Sequence, residues 1–194
     1  MDHASLVEAV LSNPVNRAIL ERLPALGLMD AWLVAGAVVQ TVWNVRTGRP
    51  LGYGIRDYDI FYFDSDTSFA AEDAAIQRVG AAMSDVCDRV EVRNQARVHL
   101  WYAQRFHAPY PPLSGATEGI DRFIARVSQV GVQRTEAGWA VHAPHGLDDI
   151  AAMVVRPNPS ANFRADIYDA KAASWKMLWP ELTIVPASGI EQSV

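Results

Sequence analysis

The apolar positions of this chain recur first with a helical period and then with the two-residue period of strands. Ser5-Leu6-Val7-Glu8 has the form of a capping box opening a short helix. Asn13-Pro14 caps a second helix, with Ile19, Leu20 and Leu23 along one side and Pro24 and Gly27 at its end. Ala31 to Ala35 reads as a buried strand closed by Gly36. The pattern from Ala37 to Val45 predicts a helix stopped by Thr47-Gly48-Arg49-Pro50. Asp57 to Asp64 is strand-like, with Ile60-Phe61-Tyr62-Phe63 in its middle. After a polar turn at Ser65 to Ser68, the spacing predicts a helix over 72–86. Arg89 to Arg93 alternates charged and apolar residues, as a half-buried strand does.

The second half is less regular. Ala96 to Phe106 carries no decisive period, and the three prolines of His107 to Gly115 mark a loop. A helix is expected over Thr117 to Val127. A hairpin follows, Val130 to Thr135 with Trp139 to Ala143 around Gly138. Leu147 to Val154 reads as another helix and Pro157-Asn158-Pro159 as a break. Asn162 to Leu178 predicts a last amphipathic helix ended by Pro180, and the tail after Pro186 reads as frayed. The element order predicts an α/β (α+β) fold, a small mixed sheet flanked by helices. At 194 residues the chain is one domain, with a core about 28–106 and a C-terminal hairpin-plus-helix extension about 107–186.

Composition narrows the function. A net charge of -5 leaves no basic footprint for an extended nucleic-acid surface. One cysteine, Cys87, excludes an internal disulfide and any multi-cysteine metal cluster, and fits a reducing cytoplasm. No apolar run is long enough to span a membrane, and no signal peptide is visible at the N-terminus.

The chemistry concentrates in IRDYDIFYFDSD, 55–66. Asp57 and Asp59 emerge on one side of a strand, about 7 Å apart at the backbone. Two such carboxylates repel unless a cation sits between them, which suits a hard divalent ion such as magnesium. Gly36 opens a helix whose first amides and positive dipole end suit a phosphate, although alone it is an ordinary turn glycine. Glu91 completes a three-carboxylate set if its strand lies beside that of Asp57, and alone is a solvated strand charge. Arg97 has a fork suited to phosphate oxygens, or to a surface ion pair. Gln40 and Asn44 share a helix face after the turn and can contact a nucleotide or serve only the fold. Asp64 caps the turn or the next helix, His142 and His145 make a poor zinc pair, and Lys171 and Lys176 read as a solvated helix face, with contact to a phosphate as the lesser alternative.

A glycine turn, an acidic-x-acidic strand and one acidic residue on a third strand resemble the DNA polymerase β-like nucleotidyltransferases. Within them, the chain is similar to a bacterial family of small nucleotidyltransferase-like proteins. The matching segments are AGAVVQTVWN (35–44), GIRDYDIFYFD (54–64), EVRNQARVHLWY (91–102), APHGLDDI (143–150), VVRPNP (154–159) and KMLWPEL (176–182). The resemblance implies that Asp57, Asp59 and Glu91 hold two magnesium ions, with manganese as the alternative ion. It implies that Gly36 and Ala37 form the turn holding the triphosphate of an NTP such as ATP, with Gln40 and Arg97 nearby. The implied activity is transfer of a nucleoside monophosphate to a hydroxyl acceptor, which the sequence does not name. Ala37 stands where the family has serine or a second glycine, and Glu91 where aspartate is commoner. These departures keep open a catalytically inactive nucleotide-binding or regulatory module. A metal-dependent phosphohydrolase ranks last.

Overall fold

The computed structural model describes residues 1–160 and 163–188. Two helices open it, α1 (His3–Ser12) and α2 (Pro14–Arg22). The first is capped by Asp2, whose Oδ1 accepts from the Ser5 amide at 2.8 Å, so it starts earlier than the Ser5 capping box predicts. Asn13 caps α2 as expected, accepting from the Val15 amide at 3.0 Å. Next come β1 (Trp32–Val34), α3 (Gly36–Thr47), β2 (Tyr58–Tyr62), α4 (Phe69–Met83) and β3 (Val90–Asn94) in the predicted order. The undecided segment 96–106 resolves into a 3-10 turn, Gln95–Arg97, and α5 (Val98–Phe106).

Two expected helices are cut short. Thr117 to Val127 holds only α6 (Ala116–Ile120) and a separate 3-10 turn at Arg126–Ser128. The carbonyls that a longer helix would need are taken from outside. The Asn158 amide donates to Asp121 O at 3.1 Å and Phe123 O at 2.9 Å, and the Asn158 backbone donates to Ile124 O at 2.8 Å. Leu147 to Val154 holds one turn, α7 (Asp148–Ala151), before Met153 turns to φ 56 and the chain enters β6 (Val154–Val155). There two β-branched residues pair in parallel with β7 (Thr183–Ile184), so tertiary pairing overrides the local pattern. The hairpin of β4 (Gly131–Thr135) and β5 (Gly138–His142) forms as predicted. The last helix, α8, spans Ala165–Leu178. Its expected first residue, Asn162, lies outside the described residues, as does the tail from 189 on.

The main sheet has the order β3-β2-β1-β4-β5. It is mixed, because β2 pairs β3 in parallel and the remaining neighbours are antiparallel. The hairpin thus continues the central sheet from the free edge of β1. Register sorts the side chains by face. Val92, Ile60, Leu33 and Val132 form one buried row across four strands, inside the larger core that also takes in residues of α1, α2, α3 and α4. The neighbouring row, Glu91, Asp59, Val34 and Gly131, points to the opposite face. That face is covered only in part, by a small cluster of Trp32, Val34, Ala116 and Ile120 with Phe61 and Phe123 against it. The mixed α/β architecture expected from the sequence is the one observed. Among the described residues no helix is long and apolar enough to cross a membrane.

Candidate functional site

The less-covered face opens into a cleft of about 460 Å³ where the start of α3, the loop before β2 and one side of α8 meet. Asp59 reaches it from the middle of the sheet. Asp57 reaches it from the end of the 48–57 loop, and three ties hold that loop in place. Asn44 donates to Leu51 O at 3.1 Å and Tyr53 O at 2.9 Å, and Arg89 donates to Ile55 O at 2.9 Å. Gly54, at φ 70, lies so close to the Trp179 ring that a Cβ there would stand 2.4 Å from the indole. Asn44 is fully buried, so it serves the loop rather than a ligand.

The turn into α3 contains an unusual backbone. The left-handed residue is Ala35, at φ 51 and ψ -118, while Gly36 has an ordinary φ. Strain of this kind in a non-glycine residue costs about 1–3 kcal/mol and persists where the surroundings over-determine it. Here Ala35 O accepts from the amides of Val38 and Val39, and Ala35 N donates to Val130 O at 3.0 Å. Gly36 itself makes room for Gln40: a Cβ there would come 3.3 Å from Nε2. Gln40 is buried to 8 % exposure, borders the cleft, and among the described residues leaves its Oε1 without a partner.

Charge at the cleft is unbalanced. Burial first, then the neighbouring Asp57 and Glu91 carboxylates, push Asp59 up to about 7; Lys171 and Arg93 oppose the rise. Lys171 projects from α8, with its ammonium 5.2 Å from the centroid of the Trp175 ring. It is exposed as a residue, yet burial of the ammonium lowers its pKa, against the pull of Asp59 and Asp57.

Of the residues singled out in the sequence, Gly36, Gln40, Asp57 and Asp59 border one cleft. Glu91 pairs with Asp59 in the β2–β3 register and so shares its face, but its side chain is half exposed and pairs with Arg93 at 3.3 Å. It is not among the cleft's bordering residues. The Ala37 side chain is fully buried in the larger core, so a hydroxyl missing at this position takes nothing from the cleft. Arg97 is not brought there either. Its guanidinium pairs with Glu72 of α4, and its Nε donates to Thr67 O at 2.8 Å. Asp64 accepts from the Asp66 amide in a turn, and His142 bonds Asp121 at 2.7 Å. Among the described residues no group of three or more His, Cys, Asp or Glu side chains is placed to hold a metal ion. The sequence placed Lys171 chiefly on a solvated helix face and did not single out Arg56, yet both border the cleft, together with Trp175. The available signal was the helical spacing of Lys171, Ser174, Trp175 and Leu178, which places them on one side of α8.

Comparison with known proteins agrees with this geometry. A family model described as nucleotidyltransferase matches residues 21–184. The chain is similar to a protein whose NMR structure is described as revealing a CCA-adding enzyme head domain. The two are 25% identical with a TM-score of 0.76, and the match covers 96% of this chain and 97% of that one. Among curated proteins none matches.

Proposed function

The chain belongs to the nucleotidyltransferase family, and from that premise we propose that it moves a nucleoside monophosphate from an NTP to a hydroxyl acceptor, releasing pyrophosphate. The observation that carries this reading is the meeting of Asp57, Asp59 and the Gly36 turn in one cleft, with Lys171 and Gln40 at its border. The donor set suits magnesium. The ion is usually held by one or two carboxylates plus substrate phosphates, not by a closed protein cage, and a cation here would offset the burial and the Asp57 and Glu91 charges that raise Asp59. Asp57 and Asp59 are the residues that would hold it. When bound, magnesium supplies charge neutralisation on the triphosphate.

The protein's own groups do the positioning. The first amides of α3 face the triphosphate. Lys171 adds a positive charge beside it, and the buried Gln40 amide offers hydrogen bonds to the sugar or base. The acceptor oxygen bonds to the α-phosphorus as the bond to the pyrophosphate oxygen breaks. Glu91, beside Asp59 on the next strand and steadied by Arg93, takes the acceptor's proton. Ala37 no longer favours an inactive module, because its side chain lies in the core. We place the protein in the cytoplasm, where its single thiol stays reduced.

The test is calorimetric titration of NTP with magnesium into wild type and the Asp57→Ala/Asp59→Ala double variant. Wild type should bind and the variant should not; equal binding rejects the assignment. Labelled NTP with cell extract should then mark an acceptor only with the wild-type protein.

A further inference from the structure

A second cavity opens on the same sheet face, about 190 Å³ in volume, and Phe123 forms part of the wall of both spaces. It is built from rings. Phe61 stacks on Phe123 at 5.4 Å and 13°, and Tyr102 lies 4.5 Å from Tyr110. Trp101 closes another side. Two guanidinium groups, Arg93 and Arg122, border these rings. Arg122 sits over the Tyr110 ring at 5.2 Å, and among the described residues it has no carboxylate partner.

The placement relative to the carboxylates matters most. Phe61 is two residues beyond Asp59 on β2, so it points to the same face. Arg93 is two beyond Glu91 on β3 and pairs with it. The ring cavity therefore begins one step along the strands from the acidic row, on the side where Glu91 stands. The first cleft has the volume of a site for a whole small molecule, whereas the second falls below the ~300–1,000 Å³ of such sites and suits a single ring system.

We propose that this second cavity is the acceptor subsite, and that it takes a planar aromatic ring carrying an anionic group and the hydroxyl that reacts. The inference rests on the transfer reading above. Phe61, Tyr102 and Tyr110 hold the ring by stacking. Arg122 binds the anionic group. The hydroxyl then points across Phe123, its oxygen bonding to the α-phosphorus, its proton passing to Glu91 and pyrophosphate leaving with the cleaved P–O bond. Burial pushes the Tyr110 hydroxyl up to about 12, so it remains a hydrogen-bond donor to such a ligand.

Three probes test this by saturation-transfer NMR and calorimetry: 4-hydroxybenzoate, AMP and, as the uncharged ring, phenol. The two anionic probes separate a simple aromatic acid from a nucleotide. At least one of them should bind wild type, and phenol should bind about tenfold more weakly. Arg122→Gln and Tyr110→Leu should each weaken the anionic probe about tenfold, while Asp57→Asn/Asp59→Asn should retain it. Absence of binding by both anionic probes, or undiminished binding in both Arg122→Gln and Tyr110→Leu, overturns the subsite. Loss of probe affinity in Arg122→Gln with magnesium-dependent NTP binding intact supports it as a separate site. A wild type that binds a ring probe through Arg122 but never binds NTP overturns the transfer reading, and the acceptor role falls with it.

Discussion

Replacing Asp59 by asparagine should make the metal-free protein more stable at neutral pH while removing its response to magnesium. Asp59 is pushed up to about 7 from an ordinary 3.8. Its folded pKa is raised, so between those values the folded chain holds a proton that the unfolded chain has released. Stability contributed by this group is therefore complete below about pH 4 and is lost as pH rises through about 7. The rise, at about 1.4 kcal/mol for each factor of ten, sets a ceiling of about 4 kcal/mol. Water at the cleft mouth screens these charges, and about 2 kcal/mol is the expected cost. Asparagine has nearly the shape of the protonated acid and carries no charge to repel. In thermal unfolding at about pH 8, Asp59→Asn should melt about 4–8 °C above wild type. At about pH 4 the two should coincide within about 1 °C. Magnesium with NTP at about pH 8 should then raise the wild-type midpoint and leave the variant unmoved. A variant less stable than wild type at about pH 8, or a gain that is the same at both pH values, refutes the argument that ionising the buried Asp59 beside Asp57 and Glu91 destabilises the fold.

Other substitutions separate scaffold from site. Gly54→Ala should cost about 3 kcal/mol or more, measured by denaturant unfolding. The position has φ 70, and the Trp179 ring it would strike is held by a 2.9 Å bond to Asn44. Gly36→Ala should leave stability within about 1 kcal/mol but weaken NTP binding in calorimetry, because the new methyl meets only the end of the Gln40 side chain. Lys171→Met should move the Asp59 titration, followed by carboxyl carbon NMR, upward from about 7, since the ammonium holds it down; it should also weaken NTP binding about tenfold. Asn94→Ala should cost about 2–3 kcal/mol in the same unfolding measurement. The buried Asn94 amide accepts from the Asp64 and Ala96 amides and donates to Asp64 O, and the substitution leaves these groups unpaired.

Local chemistry made part of this molecule readable. The two-residue period from Tyr58 to Tyr62 forces Asp59 to the face opposite Ile60, and a glycine after an apolar strand marks the turn into α3. Caps at Asn13 and Gly48 act within a few residues of their helices, so the pattern around them suffices. What could not be read was decided across the chain. Thr117 to Val127 has a helical pattern, but Asn158 takes its carbonyls from another segment. Val154-Val155 becomes a strand because Thr183–Ile184 lies beside it.

The same division runs through the site. Gly36, Gln40 and Asp59 sit on elements whose faces follow from their own periods, whereas Asp57, read in the sequence as part of the strand, ends the loop before β2; all four border the cleft. Arg97 has equally suitable chemistry, yet Glu72 on the preceding helix lies within reach and claims it. Lys171 looked like a solvated charge because its helix was assigned a polar side without knowing what that side covers. Once α8 packs with Trp175 and Trp179 against Trp43, the polar side beside Trp175 turns toward the acidic pair. A basic residue at this cleft is thus specified by aromatic packing far along the chain, and its effect is visible only as the charge that partly offsets Asp57 and Asp59.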